Sequence, residues 1–151
     1  MPIATSSDII NLSSENQTEE LANKIQKKLK IGNVVYLYGE MGVGKTTFIK
    51  YLINGLQKDN QLKQTEVTSP TFSLLNEYYI NDIKINHYDL FRLKTIEEIK
   101  GLGLFENSFN TITFVEWPQL INKSPKDLIE LNFKYEDDYK KRSVQIKGLN
   151  L

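Results

Sequence analysis

An α/β fold is predicted, one domain over residues 1–151, with a largely parallel sheet, an antiparallel hairpin extension and helices on both faces. Three observations predict it. Asn33–Tyr38 and Thr111–Glu116 are short, β-branched and aromatic, the composition of strands buried in a parallel sheet. Gly39–Thr46 is glycine-rich and leads at once into Phe48, Ile49, Leu52, Ile53 and Leu56, apolar residues at helical spacing. Phe72–Ile80 and Ile83–Tyr88 are β-prone runs joined by Asn81-Asp82, a tight polar turn that marks the hairpin.

The glycine stretch, Gly39-Glu40-Met41-Gly42-Val43-Gly44-Lys45-Thr46, satisfies G-x-x-x-x-G-K-[ST], the phosphate-binding loop, between the strand and the helix that such a loop needs. Glycines permit backbone conformations closed to other residues, so successive N–H groups can converge on a phosphate. The helix N-terminus adds partial positive charge. In this arrangement Lys45 reaches the β- and γ-oxygens and the Thr46 hydroxyl ligates Mg²⁺. A P-loop nucleotide-binding domain is therefore expected, with Gly39, Gly42, Val43, Gly44, Lys45, Thr46 and Thr47 around the phosphates.

Composition bounds the rest. Nineteen basic and nineteen acidic residues cancel, so no global positive charge draws nucleic acid to the chain. No cysteine is present, which removes disulfides and thiolate metal sites. The first residues lack a basic segment followed by an apolar run, and no apolar run is long enough to span a bilayer. The expectation is a cytoplasmic protein without membrane attachment.

Residues 1–13, with Ile9, Ile10 and Leu12, form a short edge strand or a loosely ordered lead-in. Ser14 stands three before Gln17, a capping-box spacing, and Leu21, Ala22, Ile25 and Leu29 make an apolar stripe on a helix ending near Lys30, with Lys27, Lys28 and Lys30 in its last turn. The helix after the loop runs to about Gln57. Ser69-Pro70-Thr71 lies in a loop fixed by proline; its hydroxyls suit a switch that senses the γ-phosphate, or an ordinary turn. Thr95 with Glu98 opens a short helix ended by Gly101 and Gly103. Ile129–Phe133 and Ser143–Ile146 are closing strands, linked by a charged turn from Tyr135 to Arg142.

Two carboxylates end strands, Asp89 and Glu116. Glu116 closes the more continuous apolar run and fits the metal-side acid of a P-loop site best. Trp117 abuts it, either as core or as a wall of the site. His87, the lone histidine, is expected in a packed or hydrogen-bonded role rather than in proton transfer. Guanine specificity lacks its N-K-x-D signature, since Asn122-Lys123-Ser124-Pro125 carries proline at the last position, and ATP becomes the default. The two arginines are Arg92 and Arg142. No arginine-rich lid of a small-molecule kinase is present, which ranks kinase second, and no arginine finger stands in a segment near the loop. A nucleotide-dependent binding module is the third reading.

G-E-M-G-V-G-K-T-T at 39–47, S-P-T-F at 69–72, N-E-Y at 76–78, H-Y-D-L-F-R at 87–92 and V-E-W-P at 115–118 together resemble the TsaE (YjeE) family, small bacterial ATPases of tRNA threonylcarbamoyladenosine synthesis. The order and spacing are kept from about residue 14 to the C-terminus; Phe72 and Phe91 stand where the family often has tyrosine. The resemblance implies a P-loop ATPase, slow alone, working with TsaB and TsaD, and touching tRNA only through that complex. It also implies phosphate contacts from Gly42 to Thr47, Mg²⁺ at Thr46 and Glu116, a requirement for Asp89 in hydrolysis, and Trp117 near the nucleotide. Lys45, Asp89 and Glu116 are thus the expected catalytic residues. Arg92 belongs to the motif as a phosphate contact or as a salt bridge ordering the loop.

Overall fold

The computed structural model describes residues 9–106 and 109–151. Its elements, in chain order, are β1 (Ile9–Asn11), α1 (Glu15–Gln26), β2 (Val34–Tyr38), α2 (Lys45–Asp59), β3 (Leu75–Ile80), β4 (Ile83–Asp89), α3 (Ile96–Lys100), β5 (Thr111–Glu116), a 3₁₀ turn (Pro118–Leu120), β6 (Leu128–Glu136) and β7 (Lys141–Lys147). Residues 1–8, the start of the expected edge segment, lie outside the described residues; β1 is that segment's edge strand.

The strands form one sheet in the order β1-β7-β6-β2-β5-β4-β3. Its centre, β4-β5-β2-β6, is parallel. Antiparallel strands flank it on both sides, β3 at one margin and β7 with β1 at the other. The expected α/β architecture is present, with an antiparallel extension at each margin.

Alternation along the strands produces two apolar faces. Val35, Leu37, Ile85, Phe114 and Leu131 point to one, where Phe48, Ile49, Leu52 and Ile53 of α2 and Leu21, Ala22 and Ile25 of α1 cover them. Val34, Tyr36, Tyr88 and Val115 point to the other, under Ile99 of α3, Leu102, Leu104 and Phe105. Each fully buried Leu or Ile contributes about 1.5–3 kcal/mol, so the α1/α2 layer carries most of the stabilisation. Helices thus lie on both faces, but the second is served by a five-residue helix and loops.

Local signals place most boundaries. The Ser14/Gln17 and Thr95/Glu98 capping boxes are both closed in each direction. Asn81 takes the left-handed conformation, φ +55°, that the hairpin turn requires. Besides the longer β6 and β7, two boundaries differ from expectation. Helix α1 stops at Gln26, with Lys27 as its C-cap, so Lys27, Lys28 and Lys30 follow the helix and only Lys24 sits in its last turn. The Asn33 side chain accepts the Lys30 N–H at 2.6 Å, a turn that competes with another helical turn. Strand β3 begins at Leu75, not Phe72, because Leu74 turns with φ +70° and donates its N–H to Pro70 O at 2.7 Å.

Candidate phosphate-binding site

Between the end of β2 and Lys45, residues 39–44 wrap into a loop whose three glycines all have positive φ. Gly39 has φ +146°, and a Cβ there would stand 2.9 Å from both Phe133 O and Val43 Cγ1. Only glycine lets the chain leave the sheet so close to β6. Val43 is buried and pins the loop to the core. Gly44, φ +116°, is the N-cap of α2 and offers no side-chain acceptor, so the first N–H groups of the helix are left for a ligand.

Lys45 is 4% exposed, and its ammonium donates to Gly39 O and lies 3.7 Å from the Trp117 ring centroid. Burial pushes its pKa below the ordinary lysine value; the nearby Glu116 and Asp89 carboxylates pull the other way. No carboxylate among the described residues pairs with it at salt-bridge distance. A desolvated cation with only a carbonyl and a ring for partners suits an anion. Thr47, half-buried, follows on the same first turn.

The Thr46 hydroxyl donates to Glu116 Oε2 at 2.9 Å and stands 3.2 Å from Oε1. Glu116 Oε2 also accepts from His87 Nε2 at 2.6 Å, and His87 Nδ1 is buried without a partner. The register explains the cluster. Asp89 and Glu116 are paired neighbours at the ends of β4 and β5, and His87 lies two residues before Asp89 on the same face, the one under α2. His87 thus has the expected hydrogen-bonded role, and its partner is the acid singled out on the metal side.

Asp89 faces a different neighbourhood. Its Oδ2 accepts from Ser69 Oγ at 3.1 Å and Thr71 Oγ1 at 3.0 Å, and its Oδ1 from the Phe91 N–H at 3.0 Å. Pro70 is buried between those hydroxyl residues. Arg92 donates to Phe72 O at 2.8 Å and lies over the Phe72 ring, so it orders the 69–74 loop through a carbonyl, not through a salt bridge. Trp117 takes φ +60°, rare for a bulky residue, and packs on Phe91 at 4.9 Å between centroids. It is a wall of the site, closing over Lys45.

The other flank of the loop is the β6–β7 hairpin. A Cβ on Gly42 would lie 3.3 Å from Tyr135 Oη, and one on Gly44 3.5 Å from Arg142 Nη1. No arginine finger was expected in a segment near the loop, and the hairpin brings Arg142, distant in sequence, beside Gly44 in space. Charge in 135–142 suggested a turn, but β6 runs to Glu136 and β7 starts at Lys141, which makes Tyr135 and Arg142 cross-strand partners that reach back to the glycines.

The donors fit a magnesium-bound polyphosphate. The glycine cradle, the bare N-terminus of α2 and the unpaired Lys45 offer positive charge, while Thr46 and Glu116 offer hard oxygen ligands beside it. Among the described residues no group of three or more His, Cys, Asp or Glu side chains could cage a metal. Mg²⁺ needs no such cage, since one or two protein oxygens with phosphate and water complete its shell.

Comparison with known proteins bears on the family and the fold. The family described as threonylcarbamoyl adenosine biosynthesis protein TsaE matches residues 12–144. A Rickettsia bellii protein named tRNA threonylcarbamoyladenosine biosynthesis protein TsaE is 40% identical over 142 residues, covering 93% of this chain and 94% of its own length. An Aquifex aeolicus protein of the same name is 37% identical over 135 residues, 89% of this chain and 92% of its own. The crystal structure of Bacillus subtilus YdiB superposes with a TM-score of 0.67 at 22% identity, over 97% of this chain and 90% of that one, which supports the fold. Matched by the family model over residues 12–144 and by relatives 37–40% identical across most of both lengths, the chain belongs to the TsaE family.

Proposed function

We propose that the chain is the ATP-hydrolysing component of tRNA threonylcarbamoyladenosine synthesis, acting in the cytoplasm in complex with TsaB and TsaD. The observation that carries the reading is the contact of Thr46 with Glu116 beside the desolvated Lys45. It sets a hydroxyl and a carboxylate where a metal-bound γ-phosphate is handled in P-loop enzymes.

The residues divide the work. Loop N–H groups and Lys45 bind the phosphates and stabilise charge that develops as water attacks the γ-phosphate. Thr46 and Glu116 would hold Mg²⁺, which when bound neutralises phosphate charge. His87 keeps one Glu116 oxygen turned inward. Asp89, at the β4 end, orients water and ties it to the state of the Ser69-Pro70-Thr71 loop, which acts as the nucleotide-sensing switch. Trp117 and Phe91 exclude solvent from Lys45.

Phosphate release from ATP tests the reading, with the purified chain alone and with TsaB and TsaD. Slow turnover alone, strong stimulation by the partners and loss of both with Lys45→Ala is the expected result. Turnover indifferent to the partners, or surviving Lys45→Ala, overturns it.

A further inference from the structure

Arg142 has no role in the reading above, yet its surroundings single it out. It is half-buried, with Nη1 3.5 Å from the point where a side chain on Gly44 would begin. Among the described residues, the ion pairs are Lys84–Glu77 and His87–Glu116, and the guanidinium of Arg142 joins neither. Glu136, Asp137 and Asp138 are close along the hairpin, and none of them pairs with it. Both backbone groups of the residue are fastened instead. Its N–H donates to Ser13 Oγ at 3.2 Å, its carbonyl accepts from Leu12 N–H at 2.8 Å, and it faces Tyr135 across the hairpin. Tyr135, in edge contact with Tyr139 at 4.7 Å, meets Gly42 in the same way that Arg142 meets Gly44. Two of the three loop glycines thus lie against side chains of this hairpin.

We propose that Arg142 is a nucleotide-binding residue, holding α- and β-phosphate oxygens from the outer side of the loop opposite Lys45. This rests on the ATP reading and adds a cationic contact from within the chain. A half-buried guanidinium without an anion is poorly compensated, and its planar fork matches two phosphate oxygens. Position decides which phosphates. The backbone before the loop lysine cradles the α- and β-groups, and Gly44 is that backbone, whereas the γ-phosphate belongs to the Lys45–Thr46 end. Fixing the backbone beforehand lowers the ordering cost of the contact.

Fluorescent ADP and ATP are titrated against wild type, Arg142→Ala, Arg142→Gln and Lys45→Ala, with melting curves of each protein without nucleotide. The expected result is that Arg142→Ala and Arg142→Gln weaken ADP and ATP alike, by about 10–100-fold, the range for a charge-assisted hydrogen bond. The nucleotide-free melting temperature of Arg142→Gln stays close to wild type. Unchanged affinities in Arg142→Gln overturn the proposal. So does a loss for ATP alone, which places the contact at the γ-phosphate. Wild type that binds, with Lys45→Ala that does not, keeps the ATP reading standing whatever Arg142 does; wild type that binds neither nucleotide overturns both.

Discussion

One flank of the phosphate loop is acidic and built from strand ends. β4 and β5 run parallel and finish in register on Asp89 and Glu116, each held by hydroxyls or an imidazole. The other flank is built from a hairpin. β6 runs alongside β2, turns at residues 137–140, and β7 brings Arg142 back beside Gly44. The acids suit a cation and the arginine an anion, so a magnesium polyphosphate would lie between complementary walls. The two flanks also differ in what holds them. On the acidic flank the functional groups hold one another, and removing one disturbs the rest. On the hairpin flank the backbone is fixed by strand pairing, and a side chain can be changed alone.

Glu116→Ala tests the first half of that contrast and carries the largest expected effect. Phosphate release in the presence of the partner proteins falls by about 10²–10³-fold, the scale of losing one preorganised transition-state contact. Folding stability falls by about 1–3 kcal/mol, because His87 Nε2 and the Thr46 hydroxyl both lose their acceptor. Nucleotide binding without magnesium changes by less than about threefold, since the loop and Lys45 remain. Chemical denaturation and magnesium-dependent turnover on the same preparation check it. A variant that loses activity with its stability intact would mean the carboxylate is independent of its neighbours.

The acidic flank was legible in the sequence, and the hairpin flank was not, for a physical reason. A glycine loop, a strand-end carboxylate and a capping box are local, and each leaves its mark within a few residues, as Gly39–Thr46, Glu116 and Ser14/Gln17 do. His87 was half legible. Its i, i+2 relation to Asp89 put it on the same face, but only the parallel register of β4 with β5 brings it to Glu116. Arg142 was invisible because its place depends on a long-range register set by a turn with Asp137, Asp138 and Tyr139 all at positive φ. Charge there suggested a turn from Tyr135 to Arg142, where a tighter turn between two longer strands is found. The early end of α1 failed similarly, since an Asn33 side chain outcompetes a last helical turn that apolar spacing favours.

Asp89→Ala probes the same flank with a smaller effect, because Asp89 holds a loop in place of the metal-side pair. Without its carboxylate, Ser69, Thr71 and the Phe91 N–H lose a shared acceptor. Hydrolysis drops by about 10²-fold, the low end of the usual range for a positioned base, and nucleotide affinity stays within about threefold. Amide exchange in residues 69–74 rises while that of β2 is unchanged, which separates loosening of the switch from general unfolding. Equal rises in both would merge the two roles that the geometry keeps apart.

Lys45→Met sharpens the comparison at its centre and carries the smallest effect, a gain. The ammonium is buried, stands in the first turn of α2 where the helix dipole opposes a cation, and has no carboxylate at salt-bridge distance. Its pKa is lowered from the ordinary 10.5, so the unfolded chain holds the proton more firmly than the folded one. Folding therefore carries a penalty that is full at pH values below the folded-state pKa and shrinks as pH rises through it toward 10.5. Methionine keeps the length and removes the charge. The nucleotide-free variant should gain about 1 kcal/mol, a rise of about 2–4 °C in melting temperature at neutral pH, and the gain should fade as pH climbs into the lysine range. With ATP and magnesium present the order reverses, since only the wild type binds and is stabilised by ligand. A methionine variant less stable than wild type without nucleotide would mean that the Gly39 carbonyl and the Trp117 ring already compensate the charge, and that Lys45 is held for the fold as much as for the phosphate.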